Sequence, residues 1–185
     1  ELCPVEIAQG KGKPPVVVAS DEGPRGDTTV EALARLSPVF RKGGSVTAGN
    51  SSGINDGAAA LVVTTAAKAR ELGLKPRMRL VGRAESGVDP QIMGSGPIPA
   101  IEKVLAKTGL TVDDLDVIEL NEAFAAVAAA CSAALGLPAD KTNPNGGAVA
   151  LGHPVGATGA ILTVKVMHEL ERTGGRYGLQ TMCEG

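Results

Sequence analysis

Aromatic residues are almost missing from this sequence, which contains no tryptophan, one tyrosine and two phenylalanines. The charge is nearly balanced as well, at a net −2 over 185 residues. Proteins that bind nucleic acids usually present a basic surface or aromatic side chains on which bases stack. We therefore expect no nucleic-acid partner.

Cysteine is also scarce, and the three cysteines, Cys3, Cys131 and Cys183, are widely spaced. Their odd number and their spacing argue against a disulfide framework and indicate a reducing compartment. The chain opens with Glu1 and carries charges early, so we expect no signal peptide. These features together predict a cytoplasmic location.

The sequence lacks a hydrophobic run long enough for a membrane span. Its longest uncharged stretch, residues 123–139, is mostly alanine and contains Gly136 and Pro138. This stretch predicts a buried helix, and we expect no membrane partner. A length of 185 residues with 43% hydrophobic residues is ample for the core of one large or two small domains.

Glycine is abundant, and five of the 25 glycines fall in residues 143–159, NPNGGAVALGHPVGATG, around His153. Glycines at this density allow positive φ angles and a close approach of the backbone to a ligand. One interpretation is a tight connection that happens to contain a histidine. The other is a functional loop, in which ligand binding compensates the entropy lost on ordering it.

Apolar patterning predicts an alternation of strands and helices along the chain. Strands are expected at residues 15–19, 58–63, 78–85, 117–120 and 178–183. Helices are expected after an N-cap at Thr28 or Asp27, at residues 66–72, 100–107 and 122–135, and across residues 161–170. The helix at 122–135 is apolar all round, so we expect it to be covered on every side. The alternation predicts an α/β fold, and helices so poor in charge indicate more than two layers.

Three polar residues stand where chemistry is expected: Asn121 after one strand, His153 in the glycine-rich loop and Cys183 after the last strand. Strand ends converge in open α/β folds, so these residues could share one crevice. Cysteine with histidine offers nucleophilic or acid–base chemistry, and asparagine can orient a water or hold an oxyanion. Cys3 and Cys131 are interpreted as bystanders.

Residues 47–65, TAGNSSGINDGAAALVVTT, leave room for a ligand because their side chains are small. Ser51 or Ser52 could donate a hydrogen bond there. The alternative is a glycine-rich turn in which Asn50 and Asn55 satisfy their own backbone.

Arg25 precedes a predicted helix, where cations are not favoured. It is either a solvated loop charge or a partner for a phosphate bound at that helix end.

Several of these segments resemble the thiolase family. NEAFA at residues 121–125, NGGAVALGHPVGATG at 145–159 and CEG at 183–185 resemble its three C-terminal signature blocks, in that order. TAGNSSGINDGAAA at 47–60 and MGSGPIPA at 93–100 also resemble thiolase segments. The resemblance implies an acyl-CoA C-acyltransferase with a layered α-β-α-β-α fold, here incomplete, without its N-terminal half and last strand.

By this resemblance, residues 1–78 are the end of the thiolase N-terminal half, including the tail of its loop region. Residues 79–185 are the C-terminal domain, truncated at its last strand. The nucleophilic cysteine of the family lies in a segment that this chain lacks, and neither Cys3 nor Cys131 matches its motif. We therefore expect a fragment that is inactive alone, whose partner is the missing N-terminal half and whose parent is a homo-oligomer.

The resemblance also implies roles for particular residues. His153 donates to the thioester oxygen and keeps the nucleophilic cysteine activated, and Asn121 holds a water that is the second donor. Cys183 is the acid/base, and the Gly185 amide belongs to a second oxyanion hole. The contacts expected for CoA and the acyl group are Ser52, Arg25, Met93 and Phe124.

The expected substrates are CoA thioesters, such as two acetyl-CoA molecules or a 3-ketoacyl-CoA with CoA, in fatty acid metabolism. No further cofactor and no metal is expected. The alternative function is a noncatalytic acyl-CoA-binding or assembly module that uses only the CoA-contact residues.

Overall fold

The computed structural model describes residues 2–183, and its elements form two small sheets with helices packed on the second. The strands are β1 (Val5–Ile7), β2 (Val16–Val18), β3 (Val117–Leu120) and β4 (Gly178–Thr181). The α-helices are α1 (Val30–Ala34), α2 (Ala66–Glu71), α3 (Pro97–Thr108), α4 (Ala125–Leu135), α5 (Ala148–Leu151) and α6 (Thr158–Thr173). Short 3-10 helices cover Ala48–Asn50, Pro90–Ser95 and Val112–Asp114.

Strand β3 is the centre of the fold, and all four of its residues are buried. It pairs in parallel with β4, with Val117 opposite Gly178. Along its other side, Ile118 N–H donates to the Lys141 carbonyl, and the Ile118 carbonyl accepts from Asn143 N–H, both at 2.8 Å. The backbone of β3 therefore has partners on both sides, as a buried strand requires.

The two faces of β3 pack against different helices because side chains alternate along a strand. Ile118 and Leu120 belong to an apolar cluster with Ile101 of α3 and with Val127 and Cys131 of α4. Burying a side chain such as leucine contributes about 1.5–3 kcal/mol, so this cluster is the main stabilising element. The opposite face lies under α6, so the sheet has helices on both sides.

Helix α3 begins with Pro97 and Pro99 in its first turn, where a missing N–H costs nothing, and it ends at Gly109 with φ of 71°. This confirms the predicted helix and the place of Pro99.

The helices predicted at 66–72 and across 161–170 are confirmed by α2 and α6. The strands predicted at 15–19, 117–120 and 178–183 are confirmed by β2, β3 and β4.

Helix α4 is shorter than predicted, because Phe124 is extended and residues 123–124 are bound to a neighbouring segment. Ser52 N–H donates to the Ala123 carbonyl at 3.1 Å, and Ser51 bridges to Phe124. The prediction that this helix is covered on every side was wrong. Val127 and Cys131 are buried, whereas five alanines of the helix are exposed: Ala126, Ala129, Ala130, Ala133 and Ala134.

Two predicted strands, 58–63 and 78–85, are not strands in the structure. A strand needs a hydrogen-bonded neighbour, and no segment within residues 2–183 pairs with either of them. Val62 and Val63 are 93% and 84% exposed, so these apolar side chains are not packed against another part of the described chain.

The N-cap of α1 is also displaced from the prediction. It is Thr29, whose hydroxyl accepts from Ala32 N–H at 3.1 Å, and neither Thr28 nor Asp27. Across the described part of the chain, none of the helices combines the length and the apolar character that a membrane crossing demands.

Candidate active site

His153 and Asn121 meet at the end of β3, as the sequence predicted. The Asn121 amide nitrogen lies 3.2 Å from His153 Nε2, and Asn121 is only 1% exposed. On the other side of the ring, Nδ1 lies 2.7 Å from the hydroxyl of Thr158, the first residue of α6. The imidazole is therefore held at both nitrogens, and its half-buried position leaves part of the ring accessible.

The backbone around His153 is fixed by a second segment of the chain. Asn55 Oδ1 accepts from His153 N–H at 3.3 Å. Gly152 has φ of 99°, and a Cβ there would stand 2.5 Å from the same Asn55 oxygen. A Cβ on Gly57 would stand 2.6 Å from Pro154. Glycines at both positions are thus needed for the two segments to lie in contact.

Asn143 and Glu122 attach the start of the glycine-rich loop to the end of β3. The Asn143 side chain accepts from Leu120 N–H at 2.8 Å and donates to the Leu120 carbonyl at 2.9 Å. It also donates to Glu122 Oε1 at 3.0 Å, while Glu122 Oε2 accepts from Val149 N–H at 3.3 Å. A Cβ on Gly147 would overlap the Glu122 carboxylate, so a larger residue there would displace this carboxylate from its hydrogen bonds.

Helix α6 holds the same loop from behind. Lys165 Nζ donates to the Gly146 carbonyl at 2.8 Å and lies 3.1 Å from Glu119 Oε2 on the face of β3 that α6 covers. Asn145 donates to Glu169 Oε2 at 2.9 Å. Paired charges and hydrogen bonds offset the cost of burying these polar groups, and they fix the loop relative to the sheet.

The arrangement can hold an anionic oxygen. Buried Asn121 and half-buried His153 present side-chain nitrogens at the same place, and the His153 nitrogen can donate when it carries a hydrogen. Within residues 2–183 no cluster of three or more histidines, cysteines and carboxylates is suited to a metal ion.

Comparison with known proteins fits this site to one family. The family model described as "Thiolase, C-terminal domain" matches residues 74–185, well over half of the chain. The chain belongs to the thiolase family. The model described as "Thiolase, N-terminal domain" matches residues 1–67. The predicted division at residue 78 itself stays a prediction.

Two relatives illustrate how close the thiolase similarity is. The chain is 54% identical to a beta-ketoadipyl-CoA thiolase of Pseudomonas aeruginosa, over 100% of this chain and 46% of the relative. It is 55% identical to an acetyl-CoA acetyltransferase of Allochromatium vinosum, over 100% of this chain and 47% of the relative. The chain thus spans just under half the length of these thiolases.

Solved thiolase structures confirm the predicted fold class. The acetyl-CoA acetyltransferase of Bacillus anthracis superposes with a TM-score of 0.91 at 50% identity, over 99% of this chain and 46% of that one. Human mitochondrial 3-ketoacyl-CoA thiolase in complex with CoA gives 0.83 at 42% identity, over 91% of this chain and 43% of that one. The α/β fold seen here is therefore part of a thiolase fold.

Cys183 is not in hydrogen-bond contact with His153 or Asn121 in the part of the thiolase chain described. It is buried in the apolar cluster with Cys131, and this burial raises the pKa of the Cys183 thiol. Strand β4, which precedes Cys183, is nevertheless hydrogen-bonded to the site, because Asn121 N–H donates to the Thr181 carbonyl at 3.0 Å.

The residues predicted to contact CoA are spread over neighbouring segments. Ser52 is held next to Ala123, since its hydroxyl and its N–H donate to the Ala123 carbonyl at 3.0 and 3.1 Å. Met93 and Phe124 both pack against the apolar cluster, and Arg25 is exposed. Gly185, predicted to donate from its amide, lies outside the described residues.

Four thiolase site residues were not singled out from the sequence, or were interpreted differently: Thr158, Glu122, Asn143 and Asn55. Asn50 does satisfy local backbone, because its Oδ1 accepts from Thr47 N–H at 2.8 Å. Asn55 instead reaches across the chain to His153. The fixed spacing of Thr158, five residues after His153 at a helix start, is the signal that could have identified it.

Proposed function

We propose that this chain supplies the oxyanion site and the acid/base of a thiolase that joins two acetyl-CoA molecules or cleaves a 3-ketoacyl-CoA with CoA. One observation carries the proposal. Asn121 is 1% exposed, its amide nitrogen faces His153 Nε2, and its Oδ1 has no hydrogen-bond partner among the described residues.

A buried oxygen without a donor costs about 1–3 kcal/mol, so the site favours a molecule that donates to Asn121 Oδ1. A water satisfies this requirement with one O–H and directs its second O–H outward. His153 lies beside it, so the water and the imidazole, once Nε2 carries a hydrogen, together form two donors for one thioester oxygen. Donors placed in advance stabilise the enolate as its charge develops.

Cys183 is the proposed acid/base for the α-carbon of the acyl group and for the CoA thiol. Because burial raises the pKa of its thiol, Cys183 is protonated at rest and can act as an acid. In the condensing direction the thiol first protonates the CoA thiolate released on acyl transfer, and the Cys183 thiolate left behind takes the α-proton of acetyl-CoA. Its closeness to the backbone that binds Asn121 N–H supports this role.

The acyl-accepting cysteine is proposed to come from the part of the thiolase fold that this chain does not contain. Cys131 is completely buried, and its burial raises the pKa of its thiol, so it is unsuited to the task. Cys3 is exposed, and its surroundings do not match the motif of the family's nucleophilic cysteine. The partner is thus an N-terminal thiolase half within a cytoplasmic homo-oligomer, with no cofactor or metal besides CoA thioesters.

Ser52 and Arg25 are proposed to contact the pantetheine and phosphate parts of CoA, and Met93 and Phe124 to line the acyl pocket. The connection of Ser52 to residues 123–124 supports placing these contacts beside Asn121. The CoA complex of the human relative shows that a structurally similar thiolase binds this molecule.

The test is a graft in which residues 1–185 replace the matching segment of the Allochromatium vinosum enzyme. Thiolysis of acetoacetyl-CoA by this graft is compared with that of His153→Ala and Asn121→Ala. Each variant is expected to lose about 100-fold or more in kcat, because each removes a donor. His168→Ala is the matched control, since His168 is exposed and contacts Arg77 and Glu171 instead.

Unchanged turnover in His153→Ala would refute the proposed role. A graft that binds CoA in calorimetry but shows no turnover in any version would favour the noncatalytic binding module.

A further inference from the structure

We propose that Thr158 is a positioning residue that fixes which nitrogen of His153 carries the proton and, through it, the orientation of the Asn121 amide. The inference rests on the proposed function of His153 and Asn121, and it adds a third member to the site. Thr158 is 3% exposed, so its hydroxyl makes its hydrogen bonds within the protein.

The first constraint comes from the hydroxyl. Thr158 Oγ1 lies 2.9 Å from the Pro154 carbonyl, which can only accept, so the single hydroxyl proton is committed to that bond. The same oxygen lies 2.7 Å from His153 Nδ1. With its proton already used, Oγ1 accepts at that contact, and Nδ1 therefore carries a hydrogen.

The second constraint comes from the other side of the ring. The Asn121 amide nitrogen, which can only donate, lies 3.2 Å from His153 Nε2. Nε2 therefore accepts, and its lone pair faces the site. The Thr158 contact assigns the neutral form with the hydrogen on Nδ1, and an Asn121 amide with its nitrogen toward Nε2 fits that form.

The consequence for the site concerns the Asn121 oxygen. If the ring carried its hydrogen on Nε2, the Asn121 amide could rotate so that Oδ1 accepted that hydrogen. Oδ1 would then be occupied by His153 and could not bind a water. With Nδ1 protonated and held by Thr158, the amide nitrogen turns to His153 and Oδ1 stays available for a donor. Thr158 thus keeps open the position that the proposed water occupies.

The same arrangement determines which nitrogen of His153 accepts a second hydrogen. A proton that His153 takes up from the thiol of the proposed acyl-accepting cysteine, which is left as a thiolate, can go only to Nε2, on the side of Asn121. The ring then donates to a thioester oxygen as a cation, and such charge-assisted hydrogen bonds are roughly twice as strong as neutral ones.

The spectroscopic test uses the 185-residue chain labelled with ¹⁵N-histidine. The sequence contains two histidines, so His168→Gln assigns the spectrum. At a pH where both rings are neutral, we expect the His153 hydrogen on Nδ1. Thr158→Val is expected to move it to Nε2, and Thr158→Ser is expected to restore the original pattern.

Thr163→Val is the matched control. Thr163 lies one turn further along α6, and its hydroxyl donates to the Gly159 carbonyl at 2.7 Å without contacting a histidine. It is expected to leave the His153 signal in place. A hydrogen on Nε2 in the unmodified chain would overturn the inference whether or not any variant folds. An unchanged pattern in a folded Thr158→Val would also overturn it.

The kinetic test uses the graft described above. Partners that orient metal-bound histidines typically contribute 10–100-fold, and we expect Thr158→Val to lose kcat by about that factor with little change in KM. Thr158→Ser should recover most of the loss. Unchanged kcat in Thr158→Val would overturn the positioning role. Full activity in His153→Ala would instead contradict the proposed function, while the ¹⁵N result would still stand.

Discussion

Asn143 offers the sharpest test of how the loop is attached to the sheet. Its side chain makes three hydrogen bonds, two to the backbone of Leu120 and one to the carboxylate of Glu122. Leu120 is 1% exposed, so its N–H and carbonyl would be left without a partner if the amide were removed. Asn143 also has a positive φ of 49°, a region that asparagine tolerates better than most residues.

These contacts set the magnitude for Asn143→Ala. Two neutral hydrogen bonds contribute about 0.5–1.5 kcal/mol each, and one to a carboxylate about 1.5–3 kcal/mol. Alanine adds about 1 kcal/mol of backbone strain at positive φ. We therefore expect the free energy of unfolding to fall by about 3.5–7 kcal/mol, a large part of the stability of an ordinary domain.

Asn143→Gly is the matched control, because glycine loses the same hydrogen bonds without the backbone strain. It should cost about 1 kcal/mol less than Asn143→Ala. The assay is urea unfolding followed by the helical circular dichroism signal, since the chain has no tryptophan to report by fluorescence. A loss below about 1 kcal/mol in Asn143→Ala would refute the attachment inferred here.

Two further predictions concern titration and reactivity. Hydrogen bonds from Arg172 and Asn145 lower the pKa of Glu169. The ionised Glu169 carboxylate therefore stabilises the fold fully above its unfolded pKa of about 4.3, and this stabilisation is lost as the pH falls through the lower pKa of the folded state. We expect the destabilisation caused by Glu169→Gln, measured by urea unfolding, to become smaller at acidic pH. A thiol reagent should label Cys3 at once but Cys131 only on unfolding, because Cys131 is completely buried and its thiol has a raised pKa.

For the titration, Glu102→Gln on the exposed side of α3 is the control for loss of one carboxylate. An equal destabilisation by Glu169→Gln at neutral and acidic pH would contradict the assigned hydrogen bonds. For the labelling, rapid reaction of Cys131 in the folded chain would contradict its burial in the apolar cluster.

Local signals predicted much of the fold. Helix α3 follows from its two prolines and its closing glycine, and β3 follows from an apolar run between polar residues. Long-range pairing could not be predicted in the same way. Residues 58–63 read as a strand by composition, yet strand formation depends on a neighbour, and none of the described residues provides one.

The meeting of His153 with Asn121 was predicted from strand ends and from the family resemblance, and the structure brings the two together at 3.2 Å. The parts that escaped prediction are the supporting contacts. Asn55 could equally have bound its own backbone, and only the packing of Gly57 against Pro154 brings it to the His153 amide. The sequence alone does not encode such contacts locally.

Whether His153 and Asn121 act on one oxygen is tested most directly by a double-mutant cycle on the turnover of the graft. Each single alanine variant is expected to lose about 100-fold, and independent residues would together lose about 10⁴-fold. Because both donors serve the same thioester oxygen, we predict that the double variant falls well short of that product. A loss equal to the full product, or none in His153→Ala, would contradict a shared oxyanion site.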